Sequence, residues 1–188
     1  MPNYYTSPLV IDVADGPQIL NSTSEAIIAS DFTFSANDNR LYQGAAFNIR
    51  AWFDVSNVVT TPGTLTLRIR WGGVAGTVLA TTGAIALSAT ARTTFAGSLD
   101  ADLTFRSVGS AGSVFCMGRA HLNNVPVAAD SAPQSIYTLG SAGANAPAVV
   151  SSLDTTTAKA LSVTAQFSVN TATTQLTCHQ RILMSYGT

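Results

Sequence analysis

The sequence predicts an all-β protein, an antiparallel two-sheet sandwich of the jelly-roll type with about eight strands. The first observation is the segment 64–71, Thr-Leu-Thr-Leu-Arg-Ile-Arg-Trp, in which polar and apolar residues alternate without a break. Successive side chains of a strand point to opposite faces, so this pattern indicates a strand with one buried face. The same alternation recurs in segments 47–55, 99–106 and 161–169.

The second observation is that no segment carries the apolar stripe of a helix. The apolar stretch 142–150 contains Gly143 and Pro147, and helix interiors tolerate neither residue well. The third observation is that residues favouring turns separate the alternating segments. These turns lie at 36–39, 61–63, 72–73 and 109–112.

The N-terminal half begins with a segment that shows little pattern. Residues 1–17 are predicted to form an N-terminal arm or a loosely attached first strand, and residues 18–188 a single domain, long enough for a substantial core. Segment 18–34, with its many Ser and Thr residues, is predicted as one or two strands. The strands expected next are 47–55, 64–71 and, after a glycine turn, 77–80.

The C-terminal half is predicted to contain a long hairpin. Segment 91–108 forms its first strand, and 113–122 returns beside it through the tight connection at 109–112. Segment 123–152 is weakly patterned, and a loop of that length inside a domain is usually functional or mobile. The last two predicted strands are 159–170 and 175–186.

The apolar positions of the alternating strands are predicted to lie between the two sheets. Replacing a Leu or Phe at one of these positions by Ala should cost about 2–5 kcal/mol. Burial of Thr66 or Thr164 with these residues outside would instead indicate a register error of one residue. The predicted buried residues are Phe47, Ile49, Phe53, Leu65, Leu67, Ile69, Leu103, Phe105, Leu161, Val163 and Phe167.

Composition limits the classes of partner. Apolar residues make up 46% of the chain, but charged residues only 10%, well below the usual quarter. A surface of hydroxyl and methyl groups loses little solvation when it is covered, which favours permanent contact with other subunits. The formal net charge of −1 offers no basic field for a nucleic-acid backbone, so no nucleic-acid partner is expected.

Cysteine usage and hydropathy bear on the compartment. The two cysteines are too few for a disulfide framework. The N-terminal residues lack a basic segment followed by an apolar run, so no signal peptide is expected. No window approaches the length of a membrane span, so no membrane partner is expected. We expect a protein made in a cytoplasm and left reduced.

A search for catalytic or metal-binding groups finds only weak candidates. Cys178 and His179 are neighbours in a predicted strand, so their side chains point to opposite faces and do not form a nucleophile–base pair. A core thiol beside a surface imidazole is the ordinary explanation. Cys116 and His121 share another predicted strand, but neither cysteine has the close partner that zinc sites use. We therefore expect no catalytic residue, no metal and no cofactor.

Two carboxylate pairs and one glycine-rich segment have ordinary explanations as well. Asp100 and Asp102 share one strand face, and Asp12 and Asp15 share a loop. Such pairs can bind a cation or act as acid and base, but a solvated strand face and a turn are the better explanation, because no third ligand is fixed nearby. The segment 72–76 lacks the Lys and the following helix of a phosphate loop.

Four residues on polar strand faces are the candidate binding residues: Arg50, Trp52, Arg68 and Arg70. A Trp outside the core near Arg is typical of an interface anchor or a sugar-stacking platform. The alternative is partial burial of Trp52 under a loop, with solvated arginines.

The predicted strands 47–55 and 64–71, which carry these four residues, can be arranged in two ways. In a hairpin, Arg50 would lie opposite Arg70, and the repulsion would need an acid from elsewhere. In a jelly roll the chain crosses to the other sheet between the two strands, which we favour because it separates the arginines. We predict that Trp52 is covered by a neighbouring subunit or by another protein. Residues 1–17, with Tyr4 and Tyr5, are predicted as a second attachment element.

Several segments, in this order, resemble small jelly-roll structural proteins of tailed bacteriophages. The match lies in strand and turn patterns rather than in chemistry, and it covers most of the chain from Gln18 onward. The segments that carry it are 18–28, 42–44, 63–73, 103–109, 153–155 and 161–167.

The resemblance implies a non-enzymatic virion protein. Proteins of this type decorate or cement the capsid, often as homotrimers, so the implied partners are the chain itself and the major capsid protein, on the outer surface of the capsid. Under this resemblance, the predicted cover of Trp52 is a neighbouring subunit of a homotrimer or the capsid shell. The alternative is a receptor- or glycan-binding module of a fibre or tail, in which Trp52 stacks on a sugar. A polysaccharide-cleaving enzyme is disfavoured, because no carboxylate pair at the required separation is evident.

Overall fold

Fourteen β-strands make up the described part of the computed structural model, which covers residues 5–57, 62–123, 136–141 and 147–187. No helix occurs in these ranges, as predicted. The strands are β1 (Tyr5–Ile11), β2 (Ile19–Leu20), β3 (Ala26–Ile27), β4 (Phe32–Phe34), β5 (Ala46–Asn57), β6 (Thr64–Trp71), β7 (Thr77–Thr81), β8 (Ile85–Ala86), β9 (Arg92–Ser107), β10 (Gly112–Leu122), β11 (Ile136–Leu139), β12 (Val149–Leu153), β13 (Lys159–Phe167) and β14 (Gln175–Gly187).

The strands form two antiparallel sheets. The first sheet has the order β1-β14-β5-β9-β10-β11, with β2 also paired to β14 and β12 to β10. The second has the order β3-β13-β6-β7, with β4 also paired to β13 and β8 to β6. The predicted two-sheet sandwich is therefore confirmed.

The connections between the sheets are those of a jelly roll. The chain passes from β1 in the first sheet to β3 in the second, then to β5 in the first and β6 in the second, and it finally crosses from β13 to β14. The predicted crossing between β5 and β6 is thus confirmed. The described residues form more than the eight strands predicted. The larger number includes four strands of only two or three residues, β2, β3, β4 and β8, and three strands that extend the first sheet, β10, β11 and β12.

The weakly patterned segment 123–152 contains more structure than its sequence indicated. β11 pairs with the end of β10, and β12 with its beginning. The predicted return of β10 beside β9 as a hairpin is confirmed, with Arg119 directly opposite Asp100. Residues 124–135 and 142–146, including most of the apolar stretch at 142–150, lie outside the described residues.

The core lies between the two sheets, and all eleven predicted buried residues are inside it, each at most 2% exposed. An aromatic cluster fills one end. The ring of Phe34 packs edge-on against Phe47 at 5.2 Å, and the ring of Trp71 packs against Phe105 at 5.5 Å between ring centroids. The Trp71 indole N–H donates to the backbone oxygen of Asp154, 3.1 Å away, which satisfies its polar edge inside the core.

The central strand of the second sheet is buried on both faces. The inward residues of β13 match the prediction, so the register is correct. Ser162 and Thr164 on its outer face are nevertheless fully buried. The expectation of a solvent-facing polar side is wrong for these two residues. Thr164 lies beneath Glu25, to which its hydroxyl donates a hydrogen bond.

The segment predicted as an N-terminal arm contains the edge strand of the first sheet. β1 pairs with β14 from Tyr5 to Ile11. Beyond it, Asp12 N–H donates to the Arg181 backbone oxygen at 3.0 Å and Gly16 N–H donates to the Cys178 oxygen at 2.8 Å. The segment therefore runs along β14 beyond the end of β1.

Arg181 is an inward-pointing charge in the core. Only 2% of its side chain is exposed, and its Nη2 lies 3.5 Å from Oδ1 of Asp12, an ion-pair distance longer than a normal hydrogen bond. Burial lowers the pKa of the guanidinium below its ordinary value, although the charge of Asp12 opposes that shift. The pairing register of β14 shifts between Cys178 and Gln180, so the face of each residue beyond this bulge differs from simple alternation.

Candidate functional site: a groove on the first sheet

A groove of about 420 Å³ runs across the outer face of the first sheet. It crosses β5, β9 and β10 and ends at β11, and three strand spacings of about 4.8 Å give it a length of about 14 Å. The side chains considered below are Arg50, Trp52, Ser98, Asp100, Arg119, His121 and Ile136.

Strand register arranges these side chains in two rows. In the first row Trp52 lies opposite Ser98, Ser98 opposite His121, and His121 opposite Ile136. Residues directly opposite each other in an antiparallel pair have Cβ atoms about 5 Å apart. The first row therefore offers an indole at one end, an aliphatic side chain at the other, and a hydroxyl and an imidazole between them.

The second row is charged. Arg50 lies opposite Asp100, Asp100 opposite Arg119, and Arg119 opposite Thr138. Nε of Arg50 and Oδ1 of Asp100 are 3.6 Å apart, with side chains 51% and 37% exposed. Such an exposed pair contributes at most about 1 kcal/mol to stability. Its main effect is to hold the guanidinium and the carboxylate in position along the groove.

The Trp52 indole is accessible. It is 39% exposed, whereas Trp71 is 3% exposed in the core. The two tryptophans thus have different roles, although both lie in alternating segments. Trp52 can present part of its ring to a ligand or a neighbouring subunit.

Asn48 organises the acids beside the groove. Its side chain is buried, and its amide nitrogen donates to Oδ1 of Asp100 at 2.8 Å and to Oδ1 of Asp102 at 2.9 Å. This amide lies between the two carboxylates that could otherwise serve as a cation pair. Across the described residues, no group of three or more His, Cys, Asp or Glu side chains is placed to hold a metal ion.

Arg119 and His121 are both exposed. Among the described residues, the side chain of neither one makes a hydrogen bond or an ion pair. The sequence analysis did not select these two as binding residues. The predicted hairpin of β9 and β10 was the available signal, because it places Arg119 opposite Asp100.

Arg68 and Arg70 lie on the opposite side of the molecule, in the second sheet. Nη1 of Arg68 donates to Oε2 of Glu25 at 2.9 Å, and Nη2 of Arg70 donates to the same oxygen at 2.7 Å. Burial opposes ionisation of Glu25, but hydrogen bonds from Arg70 and Thr164 and the charges of both arginines outweigh it, so the pKa of Glu25 lies below its ordinary value.

The four candidate residues thus divide into two pairs. Arg50 and Trp52 belong to the groove, and Arg68 and Arg70 belong to an internal network with Glu25. Contacts within the chain are sufficient to explain the second pair. The other two candidates, Tyr4 and the side chain of Tyr5, lie outside the described part of the chain.

The cysteines and His179 are placed as the sequence predicted. Cys116 and Cys178 are buried, and burial raises the pKa of their thiols to about 12 and about 11. His179 is on the surface, where Nδ1 lies 3.0 Å from Asp15 and Nε2 lies 3.5 Å from Asp54. The hydrogen bond to Asp15 raises the pKa of His179 above its ordinary value.

The described ranges contain no helix with the length and hydrophobicity that a bilayer crossing requires. No protein-family model matches the chain, and no curated protein matches it.

One solved structure to which the chain is similar is the CBM2 module of the evolved Dit of Lactobacillus casei BL23 phage J-1. The identity is 8% and the TM-score is 0.31, over 82% of this chain and 66% of that one. The matched region thus spans slightly less than two thirds of that structure. At this identity and TM-score, the similarity assigns neither fold nor function to the chain.

Proposed function

We propose that this chain is a non-enzymatic structural protein of a virion that binds a saccharide of the host surface in the groove of the first sheet. The observation that carries the proposal is the accessible Trp52 indole, 39% exposed at the end of a groove lined by polar side chains. The assignment to a virion rests on the segments that resemble phage jelly-roll proteins and on the low charged fraction of 10%.

The chemistry of the groove suits a sugar. A tryptophan ring offers a flat apolar surface on which the C–H groups of a pyranose ring can stack. The polar groups alongside it include the Ser98 hydroxyl, the Asp100 carboxylate and the Arg119 guanidinium. A few fixed polar groups beside an apolar surface are what orient a small ligand in a pocket. The length of about 14 Å suits a short oligosaccharide better than a single sugar.

Removal of the indole tests this proposal. Labelled protein should bind host cells and oligosaccharides on an array, and Trp52→Ala should weaken that binding about ten-fold or more, since stacking on an aromatic ring contributes at the scale of an interface anchor. Tyr42→Ala is the matched control, because Tyr42 is 38% exposed but does not line the groove. Unchanged binding by the Trp52 variant would reject the groove as the site.

Capsid decoration is the second candidate, and the apolar character of the same face favours it. The described residues of this face include several exposed or half-buried apolar side chains outside the groove. A covered interface between subunits, or with a capsid shell, would bury them. They are Ile11, Phe115, Met117, Val149, Ile182, Met184 and Tyr186.

In this second candidate the chain forms a homotrimer that docks on the major capsid protein at the outer surface of the capsid. Apolar burial of about 25 cal/mol per Å², less the cost of association, could stabilise a shell at many repeated positions. Light scattering measures the oligomeric state, and co-sedimentation measures binding to purified capsids. Binding to capsids without binding to cells or oligosaccharides would replace the saccharide proposal with this one.

A further inference from the structure

We infer that the saccharide bound in the groove is acidic and that Arg119 holds its carboxylate or phosphate group. The inference rests on the proposed function and names the class of ligand for that same groove. On the outer face of the first sheet, some polar groups already have partners within the chain, and others have none among the described residues.

The acids of the face are occupied by partners within the chain. Asp100 accepts a hydrogen bond from the Asn48 amide at 2.8 Å and lies 3.6 Å from Arg50. Asp102, which borders the neighbouring depression rather than the groove, accepts from the same amide at 2.9 Å. Both carboxylates thus already have partners within the chain, and each retains sites that can accept further hydrogen bonds.

By contrast, two donor groups of the face have no partner among the described residues. Among the described residues, neither the Arg119 guanidinium nor the His121 imidazole has a hydrogen-bond or ion-pair partner. A guanidinium carries five N–H donors in a planar fork and no acceptor. That fork matches the two oxygens of a carboxylate or phosphate. The chemistry that complements the groove is thus an anion.

The charge of the groove agrees with this complement. Two arginines, Arg50 and Arg119, line it against one acid, Asp100, so one positive charge is left without a counter-charge in the groove. Arg50 is the arginine paired with that acid. Arg119 is accordingly the arginine of the groove without an ion-pair partner among the described residues, and it also borders the neighbouring depression with Asp100 and Asp102.

The spacing of Trp52 and Arg119 fits one or two sugar units. Arg119 lies two strands away from Trp52 and one row along, so their backbone positions are about 12 Å apart. Both side chains point outward over the same face, and the arginine side chain spans part of that distance. A ring stacked on Trp52 can therefore place an acidic group of the same or the next unit at the guanidinium.

The test compares acidic probes with matched neutral forms. Calorimetry would measure binding of oligogalacturonates, their methyl esters, and phosphorylated and dephosphorylated mannan oligosaccharides to the full chain. We expect at least one acidic probe to bind about ten-fold or more tightly than its neutral form, because hydrogen bonds to charged groups are the strong ones. The two acidic families distinguish a carboxylate from a phosphate ligand.

Substitution assigns the effect to one residue. Arg119→Gln should remove the preference for the acidic probe, and Arg119→Lys should retain part of it. Arg106→Gln is the matched control, since Arg106 is an exposed arginine on the same sheet whose guanidinium lies over Phe115 at 5.0 Å, outside the groove. The control should bind as the unmodified chain does.

The outcomes separate the inference from the proposed function. If acidic and neutral forms bind equally and Trp52→Ala abolishes both, the saccharide proposal stands and the acidic ligand is wrong. If the acidic preference survives in Arg119→Gln, the role of Arg119 is wrong. If no probe and no array saccharide binds, the proposed function fails and the inference fails with it.

Discussion

The outer faces of the two sheets show two ways of treating polar strand residues. On the second sheet, Arg68 and Arg70 converge on Glu25, and Thr164 is buried beneath it. On the first sheet, Arg50 and Trp52 are exposed around an open groove. The same alternation in the sequence thus produces a face closed by its own chain in one sheet and a face left open in the other.

The difference has a local cause. The short strand β3 brings the segment before it, with Glu25, over the middle of the second sheet. No described segment covers the middle of the first sheet in this way. An alternating strand therefore becomes a binding surface only where no other part of the chain covers its polar side.

The largest expected effects lie in the core, where the two sheets should behave alike. Leu67→Ala in the second sheet and Leu103→Ala in the first should each lower the free energy of unfolding by about 2–5 kcal/mol, since both residues are at most 1% exposed. Denaturant unfolding measures both values. A loss below about 1 kcal/mol in either variant would mean that its side chain is not part of the packed interior.

The next largest effect should separate the two outer faces. Glu25→Gln leaves Arg68 and Arg70, 21% and 14% exposed, without a counter-charge, and should cost about 3 kcal/mol. Asp100→Asn is the matched change on the open face and should cost at most about 1 kcal/mol, because the Arg50 pair there is exposed to solvent. Equal losses in the two variants would contradict the distinction between a closed and an open face.

The smallest effect concerns pH and the segment after β1. The pKa of His179 is raised by Asp15 and Asp54, so the stabilisation from these contacts is complete below the unfolded pKa of about 6.5 and is lost as pH rises through the higher folded value. Because His179 and Asp15 are 49% and 62% exposed, the change should be below about 1 kcal/mol.

Unfolding experiments between about pH 5 and about pH 8 would measure this dependence. His179→Gln should flatten it, while His121→Gln, which removes an imidazole that makes no ion pair among the described residues, serves as the control. An unchanged pH profile in His179→Gln would show that these contacts do not contribute to folding.

Alternation predicted the long strands and their buried residues because the period of two is a local property. It identified β6 with its true bounds and placed Phe47 and Phe105 inside. It could not identify β2 or β3, because strands of two residues carry no period.

Other features depend on pairings that a local pattern does not contain. Glu25 is more than forty positions from Arg68 and Arg70 in the sequence, and the groove requires β5 to lie beside β9, which follows from the jelly-roll order. Alternation did not predict the burial of Arg181, because the bulge after Cys178 shifts the register and directs this charged side chain inward. Sequence reasoning thus reached Arg50 and Trp52 as candidates but not Arg119 and His121.

The position of β14 bears on how the protein is made. β14 lies between β1 and β5 in the first sheet, and Arg181 within it meets its counter-charge only when Asp12 is in place. During synthesis, the edges of β1 and β5 that pair with β14 therefore remain unpaired until the segment 175–187 has emerged from the ribosome. Pairing partners so distant in sequence make folding slow, and exposed strand edges invite association between nascent chains. Completing the sandwich is consequently a late event, and the yield of folded protein should depend on how well those edges are shielded until then.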